Sequence, residues 1–347
     1  MAYRKLLAMT FKLSRAAGLL TVLATSDLHA QTITDVACQS PPVALCADAC
    51  TAEQKSLAGN VVEPASRRSY FLDYPCDLKS DEKVTVVLNL HGAGSNASNQ
   101  RRYFPIVDYK DKYRLVIITP TAGADSHNWS SAQDDEYLGK ITDQVFSLVG
   151  AGRINTFWLA GHSQGGITAT RIVCSPYFKG RVDGLLSLSG GRIGRIAYVE
   201  SFFPAGRRPP APPSGAAASP AKTDEAAAFD CNFSYMFSSG ANEITGLPET
   251  SPLAQKYGCE ARVRGADVVD DKPGYVSGAD REEGPNPAWS THRMPGTAQV
   301  YRYPGCNSGR LVADIMRLNK GHTDGLEPKV TEAIVAMMVA APGKARP

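Results

Sequence analysis

No segment beyond residue 30 supplies the roughly 20 consecutive apolar residues that a bilayer core of about 30 Å demands, which excludes a membrane-spanning helix there. Clusters of Lys and Arg are equally missing after the first fifteen residues. Arg4, Lys5, Lys12 and Arg15 against Asp27 account for the whole formal charge of +3, leaving 33 basic residues against 33 acidic ones. That balance excludes the electrostatic footprint of a nucleic-acid partner. No cysteines and histidines stand at zinc-site spacing: Cys46 and Cys50 have neither a nearby His nor a second Cys pair, so no metal is expected. Apolar residues are not scarce. At 43% hydrophobic and 20% charged over 347 residues, the chain is neither disordered, collagenous nor a coiled coil, and it can bury a sizeable core.

Residues 1–30 have the layout of a secretory signal peptide: a basic start, the apolar stretch Ala16 to Ala24, and a small residue, Ala30, after which cleavage is expected. The apolar stretch is too short to span a membrane. All eight cysteines follow this leader, and an even count in an exported chain points to disulfides, although 105 pairings are open to eight cysteines. The expected location is therefore secreted or periplasmic.

Residues 31–65 are rich in Cys, Ala, Pro and Thr without a period and read as an extended or disulfide-tied extension. Beyond them, Ser69 to Pro75, Lys83 to Leu90, Tyr113 to Thr119, Thr156 to Ala160 and Val182 to Leu188 read as strands. Asp134 to Gly150 and the segment through Val173 read as helices. Strands separated by helices of this length pair in parallel through right-handed crossovers, so a doubly wound, mostly parallel α/β sheet is expected. The Pro- and Ala-rich stretch 204–228 cannot sustain a sheet and is expected to be an inserted loop. Strands are expected again at Phe233 to Ser238, Val300 to Tyr303 and Leu311 to Leu318, with a closing helix from Pro328 to Ala340. The polar stretch 262–298 reads as loop over one face of the sheet. Residues 66–341 are expected to form one catalytic domain.

The strongest chemical signal is Gly161-His162-Ser163-Gln164-Gly165, a G-x-S-x-G sequence between a buried strand and a helix. Glycines are needed two positions before and after the serine because a side chain there would collide with the sharp turn that exposes it. A hydroxyl is a weak nucleophile and needs a base. Of six histidines, His29 leaves with the leader, His162 adjoins the serine on the opposite side of the turn, and His91 lies in another loop, where it is expected to brace the backbone. His322, between the strand ending at Leu318 and the last helix, is the best base, with His127 and His292 in reserve. The acid that orients it is expected after the intervening strand, where Glu243 fits; Asp267, Asp270 and Asp271 remain open. Two N–H donors are needed for the oxyanion, expected from the backbone of Gln164 and of Ala93 in Leu90-His91-Gly92-Ala93-Gly94.

These pieces, LNLHGAGSN, DDEYLGKITDQV, INTFWLAGHSQGG, KYGC, YRYPGC and NKGHTDG, span roughly residues 69–341. Together they resemble the α/β-hydrolase fold of the polyhydroxybutyrate depolymerase and feruloyl esterase group of secreted esterases. The resemblance implies that Ser163, Glu243 and His322 form a triad and that Cys259 pairs with Cys306. It also puts Trp129 in a loop that faces the ligand in such enzymes; a Trp that merely packs the loop is the alternative. The chain departs from the group in carrying Thr323 and Asp324 where a Trp-Pro pair often follows the histidine, in having Glu as the acid, and in the 204–228 insertion.

The expected activity is hydrolysis of a carboxylic ester, feruloyl-type or hydroxyalkanoate-type, small or polymer-linked, through an acyl-enzyme and without a cofactor. A secreted serine peptidase on the same fold and a non-catalytic homologue are the alternatives. A peptidase typically adds a propeller or lid domain, and none is visible in the sequence.

Overall fold

The β-branched run Val84–Leu90, which we label β3, is buried along its whole length, as expected of a strand covered on both faces. In the computed structural model it lies near the centre of one eleven-stranded sheet. The structure describes residues 32–38, 59–123, 127–202, 229–275, 286–291 and 293–344. The expected signal peptide at 1–30, the insertion at 204–228, Cys46, Cys50 and His292 lie outside the described residues. Residues from Thr32 onward form one compact unit.

The central strands β4 (Leu115–Pro120), β3, β5 (Ile154–His162), β6 (Gly184–Leu188), β7 (Ser234–Gly240) and β11 (Val312–Leu318) stand side by side and pair in parallel. Beyond β4, β2 (Ser69–Asp73) and β1 (Val61–Val62) continue the sheet antiparallel. At the other edge, β10 (Thr297–Arg302) runs antiparallel to β11 and to the two-residue strands β8 (Val263–Arg264) and β9 (Val268–Val269).

Side chains alternate between two apolar cores, one per face, as the period-2 geometry of strands requires. Val86, Leu88, Phe157, Leu159, Tyr235 and Phe237 point to one face, where Tyr137, Leu138, Ile141 and Val145 of the helix Ser131–Val149 cover them. Val87, Trp158, Ala160, Leu186 and Met236 point to the other, beneath Val330, Ile334, Val335 and Met338 of the helix Pro328–Ala340. In chain order the helices are α1 (Ala97–Tyr103), α2 (Lys110–Tyr113), α3 (Ser131–Val149), α4 (Gln164–Ile172), α5 (Pro252–Lys256) and α6 (Pro328–Ala340).

The fold is the doubly wound, mostly parallel α/β arrangement that the strand and helix order implies. One local expectation is corrected, and one helix was not expected. The stretch 262–298 is not all loop, because β8 and β9 use backbone pairing to β10; two-residue strands with exposed Val263 and Val269 leave no hydrophobic alternation to read. Helix α1, in the sequence ASNQRRY, has no apolar period either. It forms because the Asn96 side chain caps its first turn by accepting the Asn99 N–H, and it buries Gln100, Arg101 and Tyr103. Arg101 is compensated by an ion pair to Asp73 at 2.5 Å.

Three disulfides join described residues: Cys38–Cys76, Cys174–Cys231 and Cys259–Cys306. The first ties the N-terminal extension to the segment after β2. The third joins the chain after α5 to the turn between β10 and β11.

Candidate active site

The register of the sheet gathers the site. Leu90 of β3 pairs with Gly161 of β5, His162 with Leu188 of β6, Leu188 with Ser238 of β7, and Gly240 with Arg317 of β11. The loops leaving these five neighbouring strands at one end carry Ala93, Ser163, Ser189, Glu243 and His322. Loops at the carboxyl ends of parallel strands are where α/β sheets place ligands.

Ser163 sits between β5 and α4 with φ 51° and ψ −119°, a left-handed conformation that L side chains adopt at a cost of order 1–3 kcal/mol. Close packing holds it there. A Cβ on Gly161 would lie 2.3 Å from the Gly165 carbonyl carbon, and one on Gly165 would lie 2.4 Å from the Leu90 oxygen, so neither position admits a side chain. Ser163 N–H donates to the Leu188 carbonyl at 2.8 Å, fixing the turn to β6.

The Ser163 hydroxyl lies 2.8 Å from Nε2 of His322, whose Nδ1 lies 2.8 Å from Oε2 of Glu243. Both His322 and Glu243 are buried. The other carboxylate oxygen accepts 2.7 Å hydrogen bonds from the Ser189 hydroxyl and the Gly240 N–H. With Oε1 engaged in this way, Oε2 is left to accept from Nδ1–H, which turns the bare nitrogen, Nε2, toward the Ser163 hydroxyl. The other candidate acids are engaged elsewhere. Asp267 pairs with Arg264, Asp271 faces Lys329, and Asp270 accepts the Val330 N–H at the start of α6.

The Ser163 hydroxyl opens into a cavity of about 410 Å³ lined by the glycine-rich loop Gly92, Ala93 and Gly94, by Ser95, Asn99, Gln100 and Tyr103, and by Tyr275, Trp289 and Thr323. Larger surface grooves near Tyr303 lie away from these groups. In the glycine-rich loop, Gly94 N–H donates to the His127 carbonyl and Ser95 N–H to Gly92. His91 braces this loop: its buried ring donates from Nδ1 to the Gly92 carbonyl at 2.7 Å and accepts the Ala122 N–H at Nε2. Burial pushes the His91 imidazole down to about 4. Among the described residues no group of three or more His, Cys, Asp and Glu side chains could hold a metal ion.

Trp129 does not line this cavity. Its ring is buried against His91, its Nε1–H donates to the His91 carbonyl at 2.8 Å, and its own N–H donates to the Gln164 side chain at 3.0 Å. It packs beneath the glycine-rich loop, because its indole N–H finds a partner only inward. The aromatic wall comes from elsewhere. Trp289, 38% exposed, stacks on Phe202 at 5.3 Å, and both rings meet His322 in T-shaped contacts.

Asp324 explains how Trp289 gets there. Its carboxylate accepts from Gly321 N–H, Thr291 N–H and the Thr291 hydroxyl, stitching the segment 286–291 to the loop that carries His322. Thr323 adds two bonds to the Trp289 carbonyl. An aromatic surface beside the histidine is thus supplied from a distant segment instead of from the next residue. Ser189, Tyr103, Phe202 and Trp289 have no place in the sequence reading. Of these, only Ser189, followed by two glycines after a strand, carries a local signal. His162, read as lying on the opposite side of the turn, in fact packs against His322, with ring centroids 5.0 Å apart.

The alpha/beta hydrolase family profile matches residues 78–316. A protein described as an uncharacterized secreted protein of Arthroderma benhamiae is 31% identical over 117 residues, which is 32% of this chain; the chain spans 12% of that relative's length. Among solved structures, an acetyl xylan esterase from Aspergillus awamori is similar over 78% of this chain and 94% of its own, at 11% identity and a TM-score of 0.43. A fluorophosphonate-binding serine hydrolase of Staphylococcus aureus is similar over 50% of this chain and 73% of its own, at 17% identity and a TM-score of 0.32. With the profile covering more than two thirds of the sequence and the strand order described above, the chain belongs to the alpha/beta hydrolase family.

Proposed function

We propose that this protein is an exported serine esterase that cleaves neutral carboxylic esters through an acyl-enzyme, in the polyhydroxybutyrate depolymerase and feruloyl esterase group. One observation carries the reading: the hydroxyl, imidazole and carboxylate of Ser163, His322 and Glu243 form an unbroken relay, each step 2.8 Å, and the hydroxyl faces a cavity of about 410 Å³.

In this mechanism Ser163 Oγ attacks the ester carbonyl while Nε2 of His322 takes its proton, and Glu243 stabilises the imidazolium through Nδ1–H. The backbone N–H groups of Gln164 and Ala93 donate to the oxyanion. His322 then protonates the departing alcohol, and water, activated by the same nitrogen, releases the acid. All the groups required are side chains and backbone of this chain.

Substrate class follows from the walls. Among the described residues that line the cavity none is Lys, Arg, Asp or Glu, so none of these offers a counterion to a charged acyl or alcohol group. Trp289 and Tyr275 offer aromatic faces, and Ser95, Asn99, Gln100 and Thr323 offer hydrogen bonds. That pairing suits an ester with an aromatic or hydroxylated portion. Export is part of the proposal, with residues 1–30 as the leader and residues 66–341 as the catalytic domain; the three disulfides support an oxidising compartment.

The test is hydrolysis of a short-chain p-nitrophenyl ester, methyl ferulate and a hydroxybutyrate oligomer by the mature protein and by Ser163→Ala. The expected result is turnover that Ser163→Ala lowers by about 10³-fold or more with the fold retained. Failure on every ester, with cleavage of a peptide substrate instead, would replace the reading with that of a peptidase.

A further inference from the structure

We propose that His162, the residue before the nucleophile, is a positioning residue that fixes His322 over Ser163 by donating its Nε2–H to the His322 backbone carbonyl. The proposal rests on the reading of Ser163 and His322 as nucleophile and base.

His162 ends β5 with its imidazole in a slot built from three parts of the site. Nε2 lies 2.9 Å from the His322 carbonyl oxygen. A carbonyl can only accept, so Nε2 carries the hydrogen and Nδ1 is bare. Nδ1 faces the glycine-rich loop so closely that a Cβ on Gly92 would sit 2.8 Å from it. One face of the ring stacks on Tyr103, with centroids 3.7 Å apart and planes 29° apart. Neither ring nitrogen is hydrogen-bonded to a reacting atom.

This arrangement couples the elbow to the histidine loop through a single hydrogen bond. Ser163 and the ring of His162 belong to adjacent residues on one rigid strand end, so a bond from that ring to the backbone of His322 sets how far Nε2 of His322 can drift from Oγ. Tyr103 completes the bracket. Its phenol faces the Ser189 hydroxyl, which donates to Glu243, so one aromatic ring backs the residue that holds the base while its oxygen supports the residue that holds the acid.

The same packing keeps His162 neutral. Burial and the neighbouring His322 imidazole both disfavour its protonation, driving it well below the usual histidine range. A second cation 5.0 Å from the imidazolium that forms during turnover would oppose the proton transfer from Ser163.

The test compares His162→Leu, His162→Gln and His162→Asn with wild type and Ser163→Ala on one p-nitrophenyl ester, with thermal unfolding of each. Gln places an amide nitrogen where Nε2 stood, Asn stops short of it, and Leu removes the donor. A catalytic group displaced by about 1 Å can lose about 10²-fold in rate. The expected result is kcat lowered about 10- to 100-fold in His162→Leu and His162→Asn, KM within about threefold of wild type, and His162→Gln within about fivefold of wild type in kcat. Unchanged kcat in His162→Leu, equal losses in Gln and Leu, or a loss confined to KM would each overturn the proposal. If His162→Leu fails to fold, Gln against Asn decides: a tenfold advantage for Gln supports it and equality overturns it. Full activity in Ser163→Ala would instead show that the nucleophile itself was misassigned, and the proposal would fall with it.

Discussion

Replacing Glu243 by Gln changes one atom of the relay and leaves its shape intact. The carboxylate meets three donors: Nδ1–H of His322 on one oxygen, and the Ser189 hydroxyl and Gly240 N–H on the other. A glutamine must turn its NH₂ toward one side. Facing Gly240, it would set two donors against each other in a buried site, a conflict of about 1–3 kcal/mol. Facing His322, it meets no conflict, because the imidazole can shift its hydrogen to Nε2 and accept at Nδ1. The second arrangement therefore wins, and it places a hydrogen on the nitrogen that must receive the Ser163 proton. The comparable acid-to-amide change in a serine protease triad costs about 10⁴-fold in kcat, close to 5.5 kcal/mol at 1.36 kcal/mol per decade. Esterase turnover of Glu243→Gln, with KM and the unfolding temperature recorded alongside, should show that loss in kcat with little change in fold. Asp267→Asn and Asp270→Asn should stay within about threefold of wild type, since those carboxylates are bonded to Arg264 and to the Val330 N–H. Glu243→Gln within tenfold of wild type, with a severe loss at either aspartate, would refute the tautomer argument and move the acid.

Ser163→Gly should abolish esterase turnover yet raise stability by about 1 kcal/mol, because glycine adopts φ 51° without strain; differential scanning calorimetry showing a lower transition than wild type would contradict it. His91, whose folded pKa of about 4 lies below the unfolded value of about 6.5, contributes stability that is complete above pH 6.5 and lost as pH falls toward 4. The loss is on the order of 3 kcal/mol, so denaturant titrations of His91→Gln should show a shallower decline than wild type across that window. Removing the Cys259–Cys306 disulfide by the double Ser substitution frees a loop of 47 residues and should cost about 2–4 kcal/mol, read from the urea midpoint; an unchanged midpoint would mean that the bond does not constrain the unfolded chain.

The order of elements and the strained turn that carries Ser163, the proposed nucleophile, were legible in the sequence because both are local. Strands such as VTVVLNL and LVIIT are buried on both faces and read as apolar runs whatever surrounds them, and the glycines around Ser163 are dictated by contacts that the turn makes with itself and with β3. His322 was reachable from chain order. Glu243 stood among four acids until the register of β7 and β11 set it against Nδ1, and its three rivals were engaged by partners on strand β8 and helix α6 that no spacing announces. The edge strands β8 and β9 and the helix ASNQRRY were invisible because backbone pairing, a cap and a buried ion pair make them, with no hydrophobic period. Trp129 and Trp289 show the division best. Both are single tryptophans in polar loops, equivalent on the page. Only the tertiary structure turns one inward, where its indole N–H finds the His91 carbonyl, and holds the other beside His322 by bonds from Asp324 and Thr323, contacts between residues more than thirty positions apart.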